Sequence, residues 1–206
     1  MKRLTCILLV LGVSLVILSG CSSLKSYMEG YVDIAKERGI SKEYLTELSK
    51  WTRDQTAYSE FETKFHISAT YRSDDFNRAY LKEQARLLQL SETDRNQRDA
   101  ILCQADGEFT EFFFYAYTAE VSANDFGMRQ SMWRVFLLDE QGRHIVPLEI
   151  RRIDRDKVTP LIETFFPYVQ KYYGYCYHLK FPRQSSKSMR LMFVSYLGKI
   201  ELDWKP

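Results

Sequence analysis

The sequence predicts an α+β protein, mostly an antiparallel β-sandwich of about seven strands, Ig-like in outline, with N-terminal helices and a helical insertion after the first strand. Three observations predict this class. Apolar residues recur with a helical period in two parts of the chain and with a period of two elsewhere. The 206 residues include 14 Tyr, 13 Phe and 3 Trp, enough apolar surface for one core. Turn signals separate most of the period-two segments.

Residues 21–55 are predicted to form a tether and the N-terminal helices. The first helical pattern ends at Gly39, a residue type that commonly terminates helices. A second pattern begins at Ser41, which can cap a helix. Its apolar face carries Tyr44, Leu45, Leu48 and Trp51. We expect both helices to pack onto the core through these stripes.

The β-sandwich domain is predicted over 56–206. Its first strand covers 61–71, where apolar residues alternate with polar ones. A helical insertion at about 74–105 follows, and the capping motif Ser91-Glu92-Thr93-Asp94 opens its second helix. We expect these helices to cover one outer face of the sheets.

The rest of the domain has the pattern of strands joined by turns. Residues 109–117 are apolar on both faces, which predicts a strand covered on both sides. Pro147 within the strand predicted over 145–153 indicates an edge position, because proline cannot donate a ladder hydrogen bond. A long connection over 156–167, with a short helix, precedes the last three strands.

Residues 1–20 are predicted to be an export signal that is removed. Lys2 and Arg3 give a positive start, and a largely apolar stretch follows over 7–18. That stretch is shorter than the about 20 residues that a membrane-spanning helix needs. The alternative is an uncleaved membrane anchor.

The signal ends in Leu18-Ser19-Gly20-Cys21, which resembles the lipobox of bacterial lipoproteins. In that family the cysteine thiol receives a diacylglycerol, the chain is cut before the cysteine, and the new amino terminus is usually acylated. The resemblance implies that Cys21 is the lipid attachment site and carries fatty chains such as palmitate. Ser22 is not the aspartate that commonly retains lipoproteins in the inner membrane. It therefore implies the outer membrane, facing the periplasm, in a source with two membranes.

The mature part resembles uncharacterised envelope lipoproteins only in outline. The shared traits are a TYRSDDFNRAY segment after the first strand, FFP in the long connection, and the ending Leu202-Asp203-Trp204. This resemblance implies no activity.

Cys6 lies in the predicted signal and Cys21 is the predicted lipid site, which leaves Cys103 and Cys176. In an oxidising compartment they are a candidate disulfide, since helices covering the sheet could bring the two sulfur atoms together. The alternative is two separate buried thiols that behave as small apolar side chains.

The composition and motifs argue against several functional classes. Without residues 1–20 the chain has 27 basic and 27 acidic residues, so no net field attracts nucleic acid. HExxH, GxSxG, GxGxxG, P-loop and CxxC motifs are absent from the sequence, so we assign no catalytic residue, no metal ligand and no cofactor. His66, His144 and His178 are interpreted as solvated or hydrogen-bonded side chains.

Tyr172, Tyr173, Tyr175 and Tyr177 are the unusual feature of the last third of the chain. They could form a stacking platform for sugar rings or for the apolar groups of a partner. We favour a core position for the last three, because their phase matches that of Leu179.

These observations favour a membrane-anchored bacterial lipoprotein with a non-enzymatic binding or scaffolding role in the cell envelope. Its partners would be the lipid bilayer, through acylated Cys21, and an envelope protein or glycan. The alternative is an envelope hydrolase whose catalytic site is assembled in space. A serine or an acid within about 3.2 Å of one of the three histidines, in an open cleft, would favour that alternative.

Overall fold

The computed structural model describes residues 31, 33–60, 62–106 and 108–205, without the side chains of 101–106. It is an α+β fold with two antiparallel sheets. The helices are α1 (Lys42–Trp51), α2 (Asp74–Leu87), α3 (Glu92–Asp106) and α4 (Pro160–Phe165). The strands are β1 (Thr52–Ser59), β2 (Glu62–Tyr71), β3 (Phe109–Thr118), β4 (Arg134–Asp139), β5 (His144–Ile145), β6 (Glu149–Ile153), β7 (Tyr175–Pro182), β8 (Met189–Ser195) and β9 (Gly198–Trp204).

One sheet has five strands in the order β1-β2-β3-β7-β6, and the other has four in the order β5-β4-β8-β9. The described residues thus form nine strands rather than about seven. One addition is β1, which the sequence does not predict because most of its residues are polar. The other arises because the single strand predicted over 145–153 divides into β5 and β6, which belong to different sheets.

The chain changes sheet at Pro147, between β5 and β6. Pairing resumes at once, since the Leu148 amide donates to the Lys180 carbonyl at 2.8 Å. Both β5 and β6 lie at the edge of their sheets, so the edge position predicted from Pro147 is confirmed.

The two sheets contact each other through aromatic side chains. Phe114 of β3 lies 5.2 Å from Phe193 of β8, and Phe112 lies 5.0 Å from Trp204 of β9, measured between ring centroids. The opposite face of β3 is also covered, because Phe113 packs on Phe166 at 4.2 Å. The two-sided burial predicted for this strand is confirmed.

Helices cover the outer face of the five-stranded sheet, as the sequence predicts. The Tyr44 hydroxyl of α1 donates to the Phe165 carbonyl at 2.9 Å, and the two rings pack edge to face. Tyr80 of α2 contacts the ring of Phe166. Within the described residues, no helix has both the length and the apolar character needed to cross a bilayer.

The predicted helix ends are confirmed. Gly39 has φ +80° and follows the helical residues 33–37, so it supplies the left-handed conformation that ends a helix. Ser41 caps α1 by accepting from the Tyr44 amide, and the Ser91 hydroxyl accepts from the Asp94 amide at the start of α3.

Candidate functional site: a tyrosine-lined cleft

Several predicted residues lie outside the part of the chain that the structure describes. These are the export signal over 1–20, the lipobox with Cys21, and the side chain of Cys103. The Cys176 side chain is buried, and burial raises the pKa of its thiol to about 12. The bridge between Cys103 and Cys176 stays a prediction.

A cleft of about 350 Å³ lies on the outer face of the five-stranded sheet, at one end of β1, β2 and β3. The loop before β7 forms its wall. We call it the tyrosine cleft, because four of its lining residues are Tyr58, Tyr115, Tyr117 and Tyr173. The other lining residues are Thr56, Thr63, His66 and Gln170.

Strand register brings the floor of the cleft together. Thr56 of β1 lies opposite His66 of β2, which in turn lies opposite Tyr117 of β3. Paired residues of neighbouring strands share a face of the sheet. Their side chains therefore line the same surface although they come from three strands.

A β-bulge shapes the end of the floor. The register shifts at Tyr58, which lies opposite Thr63 because Lys64 is the extra residue of β2. Thr63 lines the cleft and Lys64 does not. The bulge thus places a neutral hydroxyl, rather than an ammonium group, beside Tyr58.

Gly174 allows the wall to lie directly on the sheet. A Cβ atom at this position would lie 2.3 Å from the Ala116 carbonyl oxygen and 2.6 Å from the Tyr115 ring. Any side chain would push the loop away from β3. The absence of a side chain here therefore sets the distance between Tyr173 and the floor.

His66 is the titratable base of the cleft, and its side chain is held on both sides. Its Nδ1 lies 2.8 Å from the Thr56 hydroxyl and its Nε2 lies 2.9 Å from the Ser68 hydroxyl. The residue is only 5% exposed, and burial lowers the pKa of His66 to about 4. The imidazole is therefore neutral at physiological pH, and the prediction of a hydrogen-bonded histidine is confirmed.

Three tyrosines present unused groups to the cleft. Among the described residues, the hydroxyls of Tyr58, Tyr117 and Tyr173 have no hydrogen-bond partner, and their rings contact no other aromatic ring. Tyr58 is 66% exposed and Tyr173 is 69% exposed. Tyr58 and Tyr173 are open to solvent, so a ligand that replaces the water on them can use both their ring faces and their hydroxyls.

The lining residues that the structure describes are uncharged at neutral pH. The nearest acid along β1 is Asp54, which lies opposite Ser68 on the same face. Burial raises the pKa of Asp54. A negatively charged ligand would therefore find no counter-charge in the cleft and a carboxyl group beside it.

The core positions predicted for the tyrosines of this segment are only partly correct. Tyr177 lies in the core and Tyr175 packs against it, with the Arg155 guanidinium 4.2 Å above the Tyr175 ring. The core position expected for Tyr173 is wrong, because β7 begins only at Tyr175 and the preceding residues form a turn. Tyr172 is exposed beside it.

The other two histidines lie away from the cleft lining. His144 is exposed and stacks on Phe136 at 4.4 Å. His178 is half-buried on the outer face of β7, where burial and the nearby Arg151 lower its pKa to about 4. Within the part of the chain that the structure describes, no three His, Cys, Asp or Glu side chains gather as metal ligands.

Ser68 meets the distance criterion that would favour a hydrolase, since its hydroxyl is within hydrogen-bond distance of His66. Its surroundings are not those of a nucleophile. Ser68 is only 1% exposed and does not line the cleft. The group on the other ring nitrogen is the Thr56 hydroxyl rather than a carboxylate, so the orienting acid of a serine triad is replaced by a neutral group.

The cleft has no local sequence signature, because its lining is assembled from β1, β2, β3 and the loop near Gln170. The sequence contains one indication of it. Polar residues alternate with apolar ones in β2, and the polar residues His66 and Ser68 pair with the tyrosines of β3. Comparisons of the chain with protein-family models, with curated proteins and with solved structures find no significant match.

Proposed function

We propose that this protein is a lipoprotein anchored in the cell envelope through acylated Cys21, with a non-enzymatic binding role carried by the tyrosine cleft. The lipobox Leu18-Ser19-Gly20-Cys21, after a charged start and an apolar stretch, supports the anchor. Ser22 supports an outer-membrane position facing the periplasm. Two or more acyl chains hold a protein stably at a bilayer, whereas one binds marginally.

The observation that carries the binding role is the set of open tyrosine rings and unpaired hydroxyls around a neutral His66. The cleft also lies near the proposed anchor. The Gln170 side chain, which lines the cleft, donates to the Tyr31 hydroxyl at 2.7 Å. Tyr31 is the tenth residue after Cys21, and a fully extended chain of that length spans at most about 35 Å. Tyr31 would therefore lie within that distance of the membrane surface, with the cleft beside it.

We propose further that the two sheets form a β-sandwich, Ig-like in outline. The aromatic contacts of Phe112 and Phe114 with the four-stranded sheet support this assignment. The crossing of the chain between sheets at Pro147 is consistent with it.

The anchor is tested by labelling cells with radioactive palmitate and measuring the mass of the purified protein. We expect the wild type to be cleaved before Cys21 and to carry the label, and Cys21→Ser to lose it. Cys6→Ser is the matched control and keeps the label, because that cysteine lies in the removed signal. The same masses report whether Cys103 and Cys176 are bridged. Sedimentation of Cys21→Ser with membranes, its leader uncut and the wild type unlabelled, would mean that the leader is the anchor.

The second candidate is an envelope hydrolase, which the 2.9 Å contact between Ser68 and His66 favours. A base with a pKa of about 4 is far from the value near neutrality that general-base catalysis requires. We therefore expect purified protein to hydrolyse p-nitrophenyl acetate no faster than Ser68→Ala does. Ser185→Ala, which alters an exposed serine, is the control. A rate that falls about a hundredfold in Ser68→Ala alone would establish the hydrolase and remove the non-enzymatic proposal.

A further inference from the structure

The chemistry of the tyrosine cleft restricts the class of ligand that it can hold. Its volume of about 350 Å³ falls within the range of small-molecule sites, roughly 300–1,000 Å³. The lining offers two kinds of group, open aromatic faces and hydroxyls. A ligand that displaces water from this surface has to satisfy both.

A purely apolar ligand would cover the hydroxyls of Tyr117 and Thr63 without pairing them. Neither hydroxyl has a hydrogen-bond partner among the described residues. Burying an unpaired polar group costs free energy, so such a ligand would lose much of what its apolar contact contributes. The cleft therefore favours a ligand rich in hydroxyl groups.

A charged ligand fits no better. None of the described lining residues carries a charge, and an ion that leaves water for an uncharged site loses its hydration without compensation. Asp54, next along the same face of β1, adds a further penalty for anions when it is ionised. The cleft therefore favours a neutral ligand.

We propose that the tyrosine cleft binds a neutral saccharide, with sugar rings packed on Tyr58 and Tyr173 and sugar hydroxyls hydrogen-bonded to Tyr117 and Thr63. A sugar ring combines an apolar C–H face with hydroxyls around its edge, which matches both kinds of group in the lining. The assignment deepens the proposed binding role and rests on it, because the envelope position places the cleft among glycans.

The test is isothermal titration of the full-length protein in a polyoxyethylene detergent, since sugar-based detergents would compete. The neutral probes are maltotriose, cellotriose and the trisaccharide of N-acetylglucosamine. The charged probes are the trisaccharides of glucosamine and of galacturonic acid. We expect at least one neutral trisaccharide to bind with Kd below about 1 mM, and the charged probes to bind at least about tenfold more weakly. Retention on insoluble cellulose or chitin distinguishes a glycan chain from a free sugar as the source.

The variants Tyr58→Ala and Tyr173→Ala identify the surface that binds. Each is expected to weaken binding about three- to tenfold, the usual contribution of one aromatic packing contact. Both side chains are largely exposed, so the fold is retained, which circular dichroism verifies. Tyr196→Ala is the matched control, because Tyr196 is 78% exposed in the turn between β8 and β9 and lines no part of the cleft.

The assignment is overturned if no neutral trisaccharide binds below about 1 mM, if charged probes bind equally well, or if Tyr196→Ala has the same effect as Tyr173→Ala. These outcomes are separate from failure of the anchor. If the protein is acylated but binds no sugar, only the saccharide assignment is wrong. If it binds sugar but carries no acyl chains, only the proposed lipid anchor is wrong.

Discussion

His66 and His178 show how burial changes the chemistry of individual residues on the outer face of the sheet. Both lie in the polar phase of their strands, a pattern that predicts solvated or hydrogen-bonded side chains. That face is covered by helices and by the loop before β7, so burial lowers the pKa of both side chains to about 4. A neutral imidazole can donate and accept a hydrogen bond at the same time, as His66 does between Thr56 and Ser68.

Acidification is therefore expected to destabilise the protein through these histidines. The ordinary pKa of 6.5 applies to the unfolded chain, and the value of about 4 applies to the folded one. Between these values the unfolded state binds protons that the folded state does not, so the free energy of unfolding falls as pH falls from about 6.5 to about 4. The loss reaches about 2–3 kcal/mol for a histidine with such a shift.

Urea unfolding at several pH values between 4.5 and 7.5 measures this effect. The free energy of unfolding of His66→Gln should depend less on pH than that of the wild type, because one of the two buried histidines is removed. His144→Gln is the control and should follow the wild type, since His144 is exposed. Equal pH dependence of all three proteins would contradict the buried, neutral state of His66.

At the scale of elements, α1 and α2 are joined by one carboxylate. Glu83 of α2 accepts from the backbone amide and the hydroxyl of Ser41, both at 2.8 Å, and pairs with Arg86. Burial by itself would raise the pKa of Glu83, but the hydrogen bonds from Arg86 and Ser41 outweigh it and lower the pKa. Glu83, on the side of α2, thus accepts hydrogen bonds from the residue that caps the start of α1.

Removal of this carboxylate should weaken the helical layer. We expect Glu83→Ala to lower the free energy of unfolding by about 1–3 kcal/mol, because it leaves the Ser41 amide without its acceptor and removes the ion pair with Arg86. Urea unfolding measures the change, and hydrogen exchange should show faster opening of α1. Glu140→Ala, at an exposed turn, should change the free energy of unfolding by less than about 0.5 kcal/mol. An equal effect of the two substitutions would mean that Glu83 does not join the helices.

For the whole molecule, the local features were predictable and the assembled ones were not. Caps at Ser41 and Ser91 and the two-sided burial of β3 follow from neighbouring residues, so sequence patterns contain them. The strand β1 was missed, because an edge strand under a polar cleft does not alternate between apolar and polar residues. The tyrosine cleft joins Tyr58 to Tyr173, and no local pattern reports a contact between residues so far apart in the chain.

The first and last strands of the molecule also meet. The Trp204 indole donates to the Trp51 carbonyl at 2.8 Å, and the Arg53 side chain donates to the Asp203 carbonyl at 3.0 Å. The chain is synthesised from its N-terminus, so Trp51 and Arg53 stay without these partners until β9 has been made. Such distant pairing slows folding. A chain that ended a few residues before Trp204 would lack both bonds, and the start of β1 would lose this contact with β9.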